Sequence, residues 1–133
     1  MLFSDYNSYN KASAFYLLAS SSLSESVKAR IKITNWFNEY SDYSKMDFLQ
    51  RFKSNDDMSF YSAFTELFTF QLFNSNGFEV KRGEAKMPDF SAEKDGFKIL
   101  IECTLSEDSI MKSSAHKFLN SFSEKIDEID SDY

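Results

Sequence analysis

Residues 87–104 read MPDFSAEKDGFKILIECT, and this stretch decides the fold that the sequence predicts. The tripeptide Lys94-Asp95-Gly96 is typical of a tight turn between two antiparallel strands. We therefore expect strands over 88–94 and 97–105. Two sets of residues of the second strand point to opposite faces of the sheet: Ile99, Ile101, Cys103 and Leu105 on one face, and Lys98, Leu100, Glu102 and Thr104 on the other. Glu102, a carboxylate, thus lies on the face that mixes polar and apolar residues, and the opposite face of the strand is apolar.

Upstream of this hairpin, the sequence predicts one more strand and several helices. Apolar residues recur at offsets of three and four over 59–75, which is typical of a helix, and Asn76-Gly77 is expected to end it with a left-handed residue. Residues 78–82, FEVKR, predict a short strand. Further helices are expected over 10–23, with Asn10 as the cap, and over 24–40 and 45–52.

Downstream, apolar residues alternate with polar ones at helical period from Ser109 to about Ile129. The predicted fold class is therefore α+β in the order αβββα, a three-stranded, mainly antiparallel sheet flanked by long helices. An N-terminal helical region, residues 1–56, is expected to precede this core, residues 57–133. The Phe-rich stripe from Phe60 to Phe73 is interpreted as core.

Composition limits the classes of function. The chain has 133 residues, 42% hydrophobic and 27% charged, as in globular domains, and a net charge of −6 that argues against binding nucleic acid through bulk charge. One cysteine and one histidine allow neither an internal disulfide nor a zinc cluster. The start of the sequence does not resemble a signal peptide, and no apolar run is long enough to span a membrane, so a cytoplasmic protein without membrane contact is expected.

Three carboxylates are the candidates for chemistry. Glu66 lies within the apolar helix, Asp89 begins one strand of the hairpin, and Glu102 lies in the other. In an αβββ arrangement they can surround a hard divalent cation, Mg²⁺ or Mn²⁺, because such ions prefer oxygen ligands. The backbone carbonyl of Cys103 is a further candidate ligand.

The same residues resemble a known superfamily. Pro88-Asp89-Phe90, followed after a spacer by Glu102-Cys103-Thr104, looks like a variant of the PD-(D/E)XK signature of restriction-endonuclease-like nucleases. The stretch Phe64-Thr65-Glu66-Leu67 and the pair Trp36-Phe37 are similar to segments of a poorly characterised bacterial subgroup of that superfamily. The resemblance runs from about residue 27 to residue 110. It implies Mg²⁺- or Mn²⁺-dependent cleavage of phosphodiester bonds, with DNA as the substrate.

Two features depart from the superfamily pattern. Thr104 stands where the superfamily has a lysine that positions water or neutralises charge, and threonine supplies no cation. Lys98 and Lys112 are the substitutes that we expect to assist catalysis. In addition, the sequence stops at Tyr133, where the superfamily core continues with another strand. The chain is therefore expected to be a truncated core with an open sheet edge, which a second copy or a protein partner would cover.

These departures leave the question of enzymatic activity open. The leading hypothesis is a metal-dependent endonuclease. The alternative is a catalytically inactive module with a nuclease fold that binds nucleic acid or protein. A third interpretation is a helical partner-binding protein in which the hairpin is incidental; a structure in which Glu66, Asp89 and Glu102 do not converge would favour it.

Overall fold

A computed structural model describes residues 2–40, 45–84 and 86–105 of the chain. After a short 3₁₀ turn at Tyr6–Ser8, these residues form four α-helices and three β-strands. The helices are α1 (Ala14–Ser20), α2 (Ser24–Glu39), α3 (Lys45–Phe52) and α4 (Asp57–Ser75). The strands are β1 (Glu79–Arg82), β2 (Phe90–Lys94) and β3 (Phe97–Ile101). The α+β class is thus confirmed, whereas the helix expected over 109–129 lies outside the described residues.

Helix α1 begins later in the chain than the sequence predicted. The hydroxyl of Ser13 accepts the backbone N–H of Tyr16 at 3.2 Å and caps the helix, whereas the Asn10 side chain accepts the N–H of Ala12 and forms a turn before it. At the other end, the Arg30 guanidinium of α2 donates to the carbonyl oxygen of Leu18 at 2.8 Å. A cation at a helix C-terminus satisfies carbonyls that have no partner within the helix.

The hydrophobic core is largely aromatic and runs through all four helices to the sheet. Helix α4 is its centre, because buried residues occur on most of its circumference, as expected for a helix covered on several sides. The centroids of the Phe60 ring and of the Phe52 ring in α3 are 4.9 Å apart. Phe90 of β2 belongs to the same cluster and packs on it from the sheet. The Phe-rich stripe is therefore core, as expected.

Helix α4 ends as the sequence predicted. Gly77 has φ of 84°, and the N–H of Phe78 donates to the carbonyl of Phe73 at 3.1 Å, which is the bond of a left-handed C-terminal cap. The Phe73 and Phe78 rings, 5.3 Å apart, supply the apolar contact that accompanies such a cap. The chain thereby turns directly from α4 into β1.

The sheet is antiparallel in the order β1-β2-β3. Asp95 and Gly96, with φ of 52° and 79°, form the two-residue loop between β2 and β3, as the sequence predicted. Arg82 pairs with Phe90, and Phe90 pairs with Ile101, so these three side chains share the face that packs on the helices. Leu100 projects from the opposite face, which we call the outer face.

No helix in the described ranges is both long enough and apolar enough to cross a membrane.

Candidate functional site

Glu66 is a buried carboxylate held by two arginines. Only 6% of the residue is exposed. Arg51, in the last turn of α3, donates from both terminal nitrogens to the two carboxylate oxygens at 2.9 and 2.8 Å. Arg82, at the end of β1, donates to Oε2 at 2.7 Å. Both oxygens of Glu66 are therefore occupied by charge-assisted hydrogen bonds.

Each of the two arginines has a further partner besides Glu66. Arg51 also contacts Asp47 at 2.9 Å, and Arg82 donates to the Tyr40 hydroxyl at 2.8 Å. Burial works against the charged form of both arginines, but hydrogen bonding and attraction from Glu66 outweigh it, so the pKa of each is raised. Both guanidiniums therefore remain charged, and the cluster ties α3, α4 and β1 together.

Asp89 joins the ends of the three strands. Its Oδ2 accepts the backbone N–H of Cys103 at 2.8 Å, and its backbone carbonyl accepts the N–H of Gly83 at 2.8 Å. The Asp89 side chain thus accepts the Cys103 N–H, which a backbone carbonyl would have accepted if β2 were longer. This explains why β3 ends at Ile101 and not at Leu105, where the sequence placed its end.

The strand register brings Asp89 and Glu102 close to each other. The paired register ends at Phe90 and Ile101, and Asp89 and Glu102 are the residues just beyond that pair, so one further position of the same register would set them opposite each other. Asp89 precedes β2 and turns its Oδ2 to the Cys103 N–H at the end of the sheet, and Glu102 follows the last residue of β3. Asp89 is half-buried and Glu102 is exposed.

Lys98 shares the outer face but lies far from the two carboxylates. Its ammonium is 3.9 Å from Glu93 Oε1, its cross-strand partner, and both side chains are largely exposed. Four residues of strand separate Lys98 from Glu102, roughly 13 Å. Lys112, the other candidate, lies outside the described residues.

Cys103 connects the hairpin to α4. Its thiol donates to the Thr69 hydroxyl at 3.5 Å and, together with Thr65 and Met58, lines a small cavity of about 190 Å³. Burial raises the pKa of the Cys103 thiol, the Thr69 hydrogen bond opposes this, and Asp89, Glu66 and Glu102 reinforce it. The thiol is therefore poorly suited to act as a nucleophile, in line with its interpretation as a core residue.

The structure thus brings together some of the residues that the sequence selected and separates another. Asp89, Glu102 and Cys103 are neighbours, but Glu66 points to the arginines on the helix-packed side of the sheet. Within residues 2–40, 45–84 and 86–105, no group of three or more His, Cys, Asp or Glu side chains is placed to hold a metal ion.

Arg51 and Arg82 are not among the site residues that the sequence predicted. The position of each in the sequence indicates a side chain close to the core. Arg82 alternates inward with Val80, and Arg51 lies one residue before the buried Phe52. A buried glutamate beneath two such arginines is more economically explained as their counter-ion than as a metal ligand.

Comparison with known proteins gave no relative: no family model, no curated protein and no solved structure matches the chain.

Proposed function

We propose that this chain is a restriction-endonuclease-like domain that hydrolyses phosphodiester bonds in DNA, with Asp89 and Glu102 as the ligands of a divalent cation. The observation that carries the proposal is the 2.8 Å hydrogen bond from the Cys103 N–H to Asp89 Oδ2. This bond holds the Asp89 carboxylate against the peptide group that joins Glu102 to Cys103. The pair is supported by geometry, whereas the assignment to the superfamily rests on the resemblance of the sequence.

The donor atoms of this pair suit Mg²⁺ or Mn²⁺. Asp89 uses one oxygen for Cys103, and a carboxylate has lone pairs to spare. Glu102 is exposed and open to solvent. Mg²⁺ is commonly bound through one or two carboxylates and keeps several waters, so a third carboxylate is unnecessary. Glu66 does not fit as a ligand, because three guanidinium hydrogen bonds occupy its oxygens.

The protein residues then have separate roles. Asp89 and Glu102 orient the cation, which when bound supplies Lewis-acid stabilisation of charge on a phosphate oxygen. Glu66 is a positioning residue that anchors Arg51 and Arg82 beneath β1. Lys112 remains the predicted source of the cationic side chain, since Lys98 lies roughly 13 Å along the strand from Glu102.

A second candidate is a nuclease-fold module that binds nucleic acid or protein without cleaving. The observation that favours it is the placement of Glu66, a candidate metal ligand, and of Lys98, a candidate for the catalytic cation. Glu66 is bound by two arginines and does not converge on Asp89 and Glu102, and Lys98 is roughly 13 Å along the strand from Glu102. The lack of convergence equally favours the helical partner-binding interpretation.

Calorimetric titration with Mg²⁺ and Mn²⁺ tests the metal site. We expect binding to the wild-type chain and its loss in Asp89→Asn and Glu102→Gln. Both substitutions remove charge but keep the shape, and in the Asp89→Asn variant the amide oxygen would still accept the Cys103 N–H. Glu93→Gln, an exposed change in the same sheet, is the matched control and is expected to leave binding intact.

Incubation with plasmid DNA and either cation tests the reaction. The endonuclease proposal predicts nicking or linearisation that disappears with EDTA and in both ligand variants. Cleavage that persists in both variants overturns the assigned ligands. Metal binding with no cleavage, together with retention of DNA on a column, supports the inactive module. If neither metal nor DNA binds, a protein-binding module with a nuclease fold and the helical partner-binding interpretation are the two that are left.

A further inference from the structure

Strand β3 lies at an edge of the sheet. Among the described residues it pairs only with β2. In a hairpin with a two-residue loop, Lys94 and Phe97 form a hydrogen-bonded pair, and such pairs alternate with non-bonded ones. The backbone groups of Phe97, Ile99 and Ile101 therefore bond to β2. Those of Lys98 and Leu100, and of Glu102 in the extension of the strand, point away from the sheet.

The side chains on this edge are unusual for an edge left to water. Phe97 is 66% exposed and Leu100 is 61% exposed. Natural edge strands are normally protected by charges, prolines or bulges, because free backbone groups next to apolar side chains invite another strand to pair. Here Lys98 is the one charge within the five residues of β3.

The charges on the edge select one way of pairing. An antiparallel strand that is a second copy of β3 can add in a two-fold register centred on Leu100. Lys98 of each copy then lies directly opposite Glu102 of the other, and Leu100 lies opposite its equivalent. Moving the centre by one residue places Lys98 opposite Leu100 or Thr104 and loses both ion pairs. The outward backbone groups of Lys98, Leu100 and Glu102 are the ones that this register uses.

We propose that the chain forms a two-fold symmetric dimer in which the β3 edges of two copies pair antiparallel about Leu100, with Lys98 of each copy facing Glu102 of the other. The result is one continuous sheet that joins the three described strands of each copy, and the two β3 edges are no longer exposed. This proposal does not depend on metal binding or on nuclease activity.

Charge reversal tests the register. Sedimentation velocity of the full chain, over a wide range of concentration in EDTA, should give a monomer–dimer equilibrium for the wild type. Lys98→Glu and Glu102→Lys each place like charges opposite each other twice per dimer, so each should raise the dissociation constant by about tenfold or more. The double variant restores opposite charges and should return the constant close to that of the wild type.

The double variant also controls for effects within one chain. Lys98→Glu removes the contact with Glu93 in the single and the double variant alike, so recovery in the double variant reports the contact between copies. Lys81→Glu makes the same charge change on β1, the other edge strand, and should leave the constant unchanged.

Three results overturn the proposal: a monomer at every concentration, a dimer that responds equally to Lys81→Glu and Lys98→Glu, or a dimer that neither single charge reversal weakens. If the wild type dimerises only when Mg²⁺ replaces EDTA, the contact belongs to the metal site and the edge-pairing proposal is wrong. Absence of metal binding, by contrast, would refute the proposed function and leave the dimer untouched.

Discussion

Replacing Glu66 with glutamine separates the two roles that have been considered for this carboxylate. The substitution keeps the size of the side chain and one acceptor oxygen, but it removes the negative charge between two guanidiniums. It also turns an amide NH₂ towards groups that can only donate. We expect Glu66→Gln to destabilise the fold strongly.

The magnitude follows from the contacts. Three charge-assisted hydrogen bonds of 2.7–2.9 Å end on Glu66, and removing one partner of a buried ion pair costs about 3–5 kcal/mol. Arg51 and Arg82 keep 24% and 18% of their side-chain surface in water, so solvent recovers part of this loss. We therefore expect a decrease of about 3 kcal/mol in the free energy of unfolding. For a chain of this length that is a fall in Tm of about 10–15 °C.

Thermal unfolding in EDTA, followed by circular dichroism, measures the effect. If Glu66 were instead one of three converging metal ligands, the metal-free protein would hold mutually repelling carboxylates, and Glu66→Gln would leave Tm unchanged or raise it. Either of those results refutes the ion-pair assignment. Glu79→Gln, an exposed change on β1, is the matched control and should shift stability by no more than about 0.5 kcal/mol.

Three further predictions concern single side chains. Gly83→Ala would bring a Cβ to 1.9 Å from the carbonyl oxygen of Pro88, so the backbone must move. Chemical denaturation should show a decrease of about 1–3 kcal/mol in the free energy of unfolding, and an unchanged midpoint would contradict this close approach. The Cys103 thiol, half-buried and with a raised pKa, should react with iodoacetamide about tenfold more slowly in the native protein than in urea, and equal rates would show that it is open to solvent. Burial and the nearby Asp57 raise the pKa of Tyr61 from 10 to about 12. Because the folded value is the higher one, the stabilisation is complete below pH 10 and is lost as the pH rises towards 12, so Tyr61→Phe should flatten the decline in stability over that range.

Local sequence signals predicted the fold well where one short-range effect dominates. Asn76-Gly77 ends α4 because glycine tolerates a positive φ, and Asp95-Gly96 forms the hairpin loop for the same reason. The start of α1 was predicted less well, because Asn10 and Ser13 are both good caps and the sequence alone does not rank them.

The candidate site could be predicted only in part, because its residues come from separate elements. The spacing of Asp89 and Glu102 follows from one hairpin, so their proximity was predictable. The partner of Glu66 depends on how α3 and β1 dock on α4, and both Arg51 and Arg82 come from outside the helix. The sequence around a buried carboxylate does not indicate whether a metal ion or an arginine neutralises it.

The single tryptophan gives this chain a built-in optical reporter. Trp36 is buried in α2 and its ring lies edge-on to Phe68 of α4, with 6.3 Å between the ring centroids. Its fluorescence therefore reports the docking of α2 on α4, whereas the sheet contains no such emitter. Far-ultraviolet circular dichroism of this chain reports mainly its helices, so a comparison with Trp36 fluorescence during unfolding would reveal whether the packing of α2 on α4 is lost before the helices themselves unfold, since coincident transitions are the mark of a single cooperative unit.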